Sequence, residues 1–270
     1  MALSHFRRQA KMTLDDAAAQ ISSTKSTISR MENGKALSRP AVIRALFMTY
    51  GVTGDELDAL TALAKEANQP GWWRSYAGIL PTPHVDHIAL ESEATDISAF
   101  DPAVVPGLLQ TSDYVRRIMR DGVNALTDEE IERRVEARLE RQKRLTTEDP
   151  PQLCAILDEA VLRRPIGGPE VMRGQLTHLL RIAELPNVTL QLVPFSETAH
   201  PGLQGSVTIL EFSDAEDPRI AVLETVAGDM VLHKADDVRQ CARVFDRLRS
   251  VALDPDRSRA TMGAILEAEY

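Results

Sequence analysis

Four side chains able to hydrogen-bond to base edges, Lys25, Ser26, Ser29 and Arg30, lie close together in the stretch 22–34, Ser-Ser-Thr-Lys-Ser-Thr-Ile-Ser-Arg-Met-Glu-Asn-Gly. Wound into a helix, they face outward, while Ile28 and Met31, three positions apart, point inward. Lys and Arg donate to guanine edges, Ser pairs with several bases, and the free amides at a helix start hold a phosphate. Thr24 can cap those amides, and Asn33-Gly34, both tolerant of left-handed backbone, ends the helix after about two and a half turns. Such a face fits a major groove; the same pattern also fits a helical hairpin with no ligand.

A helix upstream must position this face. Thr13 caps it, Asp15 and Asp16 occupy its first turn where negative charge suits the helix dipole, and Ala17, Ala18 and Ile21 form its buried side. Small alanines let two helices approach closely. Two further helices start at Pro40 and Gly54, the first with an apolar stripe of Ala41, Ile43, Leu46 and Phe47, so residues 2–66 read as five short helices. A core this small is marginally stable, and docking or dimerisation then matters.

Residues 13–35 resemble the Xre/Cro family of helix-turn-helix repressors. The resemblance implies Lys25, Ser26 and Arg30 as base-facing, with Ser29 on the same face, and Thr13, Thr24, Thr27, Asn33 and Lys35 near phosphates. It also implies a pair between Arg7 on the first helix and Glu32 at the end of the recognition helix. Leu14 departs from the family, which often carries Gln there for a phosphate contact. The formal net charge is −9, yet residues 1–40 carry +4 and the remainder −13, a small basic head on a large acidic body.

Asn68-Gln69-Pro70-Gly71 reads as a linker, with domain limits 1–67, 68–72 and 73–270. Trp72, Trp73 and Tyr76 follow; clustered aromatics either stack on a ligand or anchor the linker to a core. Residues 91–97 read as a helix or strand leading to Pro106-Gly107. Thr127 and Glu130 form a capping box for a helix reaching about Leu145, whose stripe of Ile131, Val135, Leu139 and Gln142 suits either a dimer seam or a solvated helix across a sheet. Its arginines, Arg133, Arg134, Arg138, Arg141 and Arg144, alternate with glutamates and read as self-neutralised. From Gln152 the pattern becomes strand (153–157), helix (170–184), strand (188–193), then short strands at 206–212, 220–224 and 230–233, and closing helices at 236–253 and 258–269. The expected fold is multidomain: an all-α five-helix helix-turn-helix head, then an α+β domain with a mixed or antiparallel sheet and helices on one face.

Several runs in this second block, Trp73, Tyr76, Pro106-Gly-Leu-Leu-Gln-Thr111 with Tyr114, Arg141-Gln142, Leu157-Asp-Glu-Ala160, Gln175-Leu176 and Val193-Pro-Phe195, together resemble one family. It is the actinobacterial antitoxin-like, WhiJ-like group of transcriptional regulators. The resemblance implies a DNA operator and a small protein encoded nearby as partners, and it carries no catalytic residue to the second domain.

Asp158-Glu159, His200 and His233 could supply acid-base groups and Gly167-Gly168 could approach a phosphate. No nucleophile elbow, phosphate loop, His-Glu-x-x-His or metal-ligand cluster is visible, so neither enzyme, metal nor cofactor is expected. Cys154 and Cys241 lack the spacing of a disulfide framework or zinc site. No apolar run approaches membrane-spanning length and no signal-peptide pattern follows Arg7, Arg8 and Lys11, which places the expected chain in the cytoplasm at the nucleoid. The function expected is a DNA-binding transcriptional regulator, a repressor acting as a homodimer. Its second domain serves as small-molecule sensor, partner-docking surface or dimer scaffold, a ligand site falling on Trp72, Trp73, Tyr76 or His200. The alternatives are an antitoxin-like protein that neutralises a small partner, or a hydrolase with an attached head.

Overall fold

The computed structural model describes residues 2–21, 23–32, 40–67, 71–76, 78–123, 125–213, 219–226 and 228–270. The chain divides into two units, Met1–Gly71 and Trp72–Tyr270. The first holds α1 (Ala2–Gln9), α2 (Leu14–Gln20), α3 (Lys25–Glu32), α4 (Pro40–Thr49) and α5 (Gly54–Ala67). Ala17 and Ala18 of α2, Ile28 of α3, and Leu46 and Tyr50 after them are buried together, so the alanines do bring α2 and α3 into contact. A second cluster, Ile43, Phe47, Val52 and Leu57, joins α4 to α5.

The second unit begins with Trp72, which sequence reading assigned to the linker; it opens a 3-10 helix, Trp72–Tyr76. Large aromatics bury too much surface to be spent on a solvated tether, and Trp72, Trp73 and Tyr76 pack on Leu80, Ile88 and Ala137. Then come α6 (Thr82–Glu93), β1 (Asp96–Asp101), α7 (Ser112–Arg120), α8 (Asp128–Gln142), β2 (Gln152–Asp158), α9 (Glu159–Arg163), α10 (Pro169–Ile182), β3 (Val188–Val193), β4 (Val207–Glu211), β5 (Ile220–Thr225), β6 (Gly228–Leu232), α11 (Ala235–Val251) and α12 (Pro255–Glu269). The stretch 91–97 is thus the end of one element and the start of the next. Thr127 makes its capping box, accepting from Glu130 N while Glu130 accepts from Thr127 N.

The sheet is mixed, in the order β3-β2-β1-β4-β5-β6. Strands β3, β2 and β1 run parallel, with Leu153 opposite both Val188 and Ile97; β4, β5 and β6 continue antiparallel, Ser98 facing Ile209 and Val222 facing Val231. Helices cover both faces, which corrects the expectation of one. On one side Met172, Leu176 and Leu179 of α10 and Met262 and Ile265 of α12 meet Leu153, Ala155, Leu157 and Leu190. On the other, Val238, Cys241, Phe245 and Leu248 of α11 meet Phe100, Ile156, Val207 and Ile209. Both cysteines are free. Among the described residues no helix is long and apolar enough to cross a membrane.

Most of the α8 stripe is covered within the chain, though Leu139 stays exposed. Ile131 and Val135 are buried against Val115 of α7, and Gln142 donates to the carbonyls of Gly107 and Gln110. Gln175 holds the same run from the other side, accepting from Thr111 N at 2.8 Å and donating to Leu109 O at 2.7 Å. Gln110 Nε2 donates to Val105 O, and Val105 N donates to the Tyr114 hydroxyl, whose pKa burial pushes up to about 12. The Pro-Gly-Leu-Leu-Gln-Thr run therefore holds one short 3-10 turn, Gly107–Leu109, and its remaining backbone polar groups are met largely by side chains, as buried backbone requires.

Gly202 shows how closely the α11 face is packed. A Cβ there would stand 2.3 Å from the buried Phe100 ring and 3.0 Å from Leu248 Cδ2. Gly202→Ala is expected to destabilise the second unit by about 1–3 kcal/mol through overpacking. Equilibrium urea unfolding checks this; a loss within error of zero would mean the loop moves freely.

Candidate nucleic-acid interface and the polar centre of the second unit

Helix α3 starts at Thr24, whose hydroxyl accepts from Thr27 N at 3.2 Å and whose carbonyl accepts from Ile28 N. The Thr24 and Thr27 hydroxyls also bond to each other at 2.9 Å. Thr13 caps α2 with a complete capping box to Asp16, whose carboxyl is held below its usual pKa by the hydrogen bonds from Thr13. The α3 face then sorts by its period: Lys25, Ser26 and Arg30 are exposed, Ser29 is half-buried, and Ile28 and Glu32 are buried. Ser22, Asn33, Gly34 and Lys35, including two expected phosphate contacts and the helix stop, lie outside the described residues.

Glu32 is buried because Arg7 reaches it. The guanidinium donates Nε to Glu32 Oε1 at 2.6 Å and Nη2 to Oε2 at 2.8 Å, and its Nη1 donates to Met12 O at 2.9 Å. One side chain thus ties the end of α3 to α1 and closes the turn into α2. The hydrogen bond to Glu32 raises the Arg7 pKa against the opposing effect of burial. Lys25 meets Asp15 at 3.0 Å with both side chains mostly in solvent, a pair weak enough to open for another acceptor.

The second unit gathers a polar centre between α6, α8 and β6. Glu91 and Arg141, both buried, form a bidentate pair, leaving Arg141 Nη1 without a hydrogen-bond partner among the described residues. Burial pushes the Glu91 carboxyl upward, but the Arg141 charge and hydrogen bonds outweigh it and hold the pKa below the usual range. Arg138 lies beside them with its pKa pushed down to about 10 by burial and by Arg141. The surface self-neutralisation expected of this helix therefore fails for Arg138 and Arg141, which turn inward, while Arg133 and Glu136 stay outside.

Two imidazoles complete the centre. His84 Nδ1 and His87 Nδ1, one turn apart on α6, lie 2.8 and 2.9 Å from the same oxygen of Asp229, Oδ2. Asp229 reaches them from the start of β6, where Gly228 takes a φ of +115° that side chains rarely adopt. Burial lowers the His84 pKa despite the Asp229 hydrogen bond, and the two histidine hydrogen bonds hold Asp229 well below the carboxylate range against burial. His84-Val-Asp-His87 was the one local signal in the sequence, and its partner stands 142 residues beyond His87.

A cavity of about 390 Å³ opens beside this centre, lined by Trp72, Trp73, Ile88, Arg141, Lys143 and Arg144 among others. Trp72 stacks edge-on against both Trp73 and Tyr76, and Arg133 lies over the Tyr76 ring. His200 is not in this lining: it is buried elsewhere, Nε2 at 3.0 Å from Asp158 Oδ2 and its ring edge-on to Phe100. Asp158 Oδ1 meanwhile caps α9 through Ala160 N, and Glu159 accepts from Phe195 N. Of the residues named for a ligand site, the fold thus brings Trp72, Trp73 and Tyr76 together and puts His200 elsewhere, while Asp158-Glu159 serves helix start and loop.

Two family models match the chain. One described as a helix-turn-helix domain matches residues 2–60. The other, described as a domain of unknown function (DUF5753), matches residues 85–263, about two-thirds of the chain. No curated protein and no solved structure matches.

Proposed function

The chain belongs to the DUF5753 family and carries a helix-turn-helix domain ahead of it, and from this we propose that it is a sequence-specific transcriptional regulator. The observation that carries the reading is the sorting of α3: Lys25, Ser26 and Arg30 stand in solvent while Ile28 and the Arg7–Glu32 pair fix the helix from behind. A rigid helix with a donor-rich outer face is what major-groove readout requires. We read the protein as a repressor of the Xre and WhiJ-like kind, working as a homodimer at the nucleoid in the cytoplasm, on an operator with half-sites about 34–36 Å apart.

The second unit, in this reading, receives the signal, and catalysis has no part in it. The cavity beside Trp72 and Trp73 is in the size range of small-ligand sites, and its apolar rings with Arg141 and Arg144 suit a small effector better than a flat protein surface does. Thermal shift reports such an effector through RT ln(1 + [L]/Kd).

Arg30→Ala is expected to weaken operator binding by about 1–3 kcal/mol and to relax base preference, whereas Lys35→Ala weakens all sequences alike and lowers the salt dependence. Competitive gel shifts against an operator library separate the two; an unchanged operator preference in Arg30→Ala would place the reading face elsewhere.

A further inference from the structure

We propose that His84, His87 and Asp229 form a binding site for one divalent metal ion of the zinc or nickel class, held by two imidazole nitrogens and a carboxylate oxygen. The geometry carries this. Two Nδ1 atoms converge on one oxygen, and the three ligand atoms lie within 4.8 Å of one another. A tetrahedral ion with bonds of about 2.0–2.1 Å holds its ligands roughly 3.3 Å apart, so the present 2.8 and 2.9 Å need widen by only about half an ångström. His87 is buried while His84 and Asp229 are partly open to solvent, which leaves the remaining position for water or an effector group.

The tautomers argue in the same direction. With hydrogen bonds alone, both Nδ1 atoms must carry the proton to donate to Asp229, and the His87 Nε2 lone pair is then buried without a partner among the described residues. A metal on Nδ1 moves the proton to Nε2, which faces Glu91 Oε2 at 3.9 Å. That separation is longer than a hydrogen bond; a carboxylate on that side of the ring is one of the groups that accept the second ring N–H behind ligating histidines. Of the charges nearby, Glu91 and Glu224 offset Arg138 and Arg141, whose guanidiniums by themselves oppose positive charge at His84, so the ligand Asp229 supplies the site's net negative charge. Mixed nitrogen and oxygen ligands favour zinc, nickel or cobalt over calcium or magnesium, which take all-oxygen shells. The proposal stands independently of the DNA-reading head.

The test uses the full-length chain without an affinity tag, stripped with a chelator. Zn²⁺ is titrated against a chromophoric competitor, and Co²⁺ is added separately to read its visible absorption. We expect one tight Zn²⁺ per chain, tetrahedral Co²⁺ bands bleached by Zn²⁺, and affinity lowered about 100-fold or more in His84→Gln and Asp229→Asn. His233→Gln, at an exposed histidine outside the cluster, should titrate as the parent does. Zn²⁺ uptake equal in parent, His84→Gln and Asp229→Asn, or a Co²⁺ spectrum of the hexa-aqua ion in the parent, would overturn it. The Co²⁺ spectrum decides the matter even if a variant fails to fold.

Discussion

Replacing Arg141 by alanine is expected to destabilise the second unit by about 3–5 kcal/mol. The partner left behind is Glu91, buried on α6 with its charge stabilised chiefly by Arg141. Removing one member of a buried pair abandons the other in low dielectric, and that penalty exceeds the net worth of the intact pair. The defect has a pH signature. In the parent the Glu91 pKa is depressed, so its contribution is full above the unfolded value of about 4.3 and fades as pH falls through the folded value. Without Arg141, burial, the largest influence, is opposed only by the weaker pull of His87 and His84, and the folded pKa rises. The deficit is then largest at neutral pH, shrinks as pH falls through the raised pKa of the variant, and closes only below the depressed folded pKa of the parent, where Glu91 is protonated in every state. Arg141→Lys should recover little, because an ammonium cannot reproduce the two parallel hydrogen bonds. Urea denaturation at several pH values checks this; a loss below 1 kcal/mol at pH 7 would show that water reaches Glu91.

Arg7→Ala is expected to remove DNA binding without touching a base-facing group. The Arg7 and Glu32 side chains are only 12% and 6% exposed, so breaking their pair costs about 3–5 kcal/mol. A head of this size holds no more than that in reserve. Loss of the Met12 carbonyl contact adds to the damage at the turn into α2. Hydrogen exchange should show α1 to α3 unprotected while the sheet of the second unit keeps its protection, because the two units have separate cores. Arg7→Met combined with Glu32→Leu should recover much of the stability, since an apolar pair of similar volume replaces a buried ion pair at little cost. Protection of α3 unchanged in Arg7→Ala would mean that the Arg7–Glu32 pair does not hold that helix in place.

The features legible in the sequence were those with short-range causes. Thr13 with Asp16 and Thr127 with Glu130 are partners three residues apart, and their capping boxes are present. The strand-helix-strand unit from β2 to β3 followed from a change of hydrophobic period. The covering of both sheet faces was also written there, in the unbroken apolar run Leu153-Cys-Ala-Ile-Leu157, since a strand buried on one side alternates instead. What stayed hidden depends on distant chain segments. Arg138 and Arg141 look like their exposed neighbours along α8 until α6 and β6 pack over them. His84, His87 and Asp229 meet only because the β5–β6 hairpin returns to α6. The aromatic residues 72–76 were visible, but whether they met His200 depended on the loop that carries it to Phe100.

If α3 enters the major groove, genome-wide occupancy of the intact chain, mapped beside Arg30→Ala, will show it. The parent is expected to give a shared motif with two-fold-related half-sites about one helical turn apart, and Arg30→Ala to lose or blur that motif. Occupancy without a common motif, or an identical motif in both proteins, would contradict it.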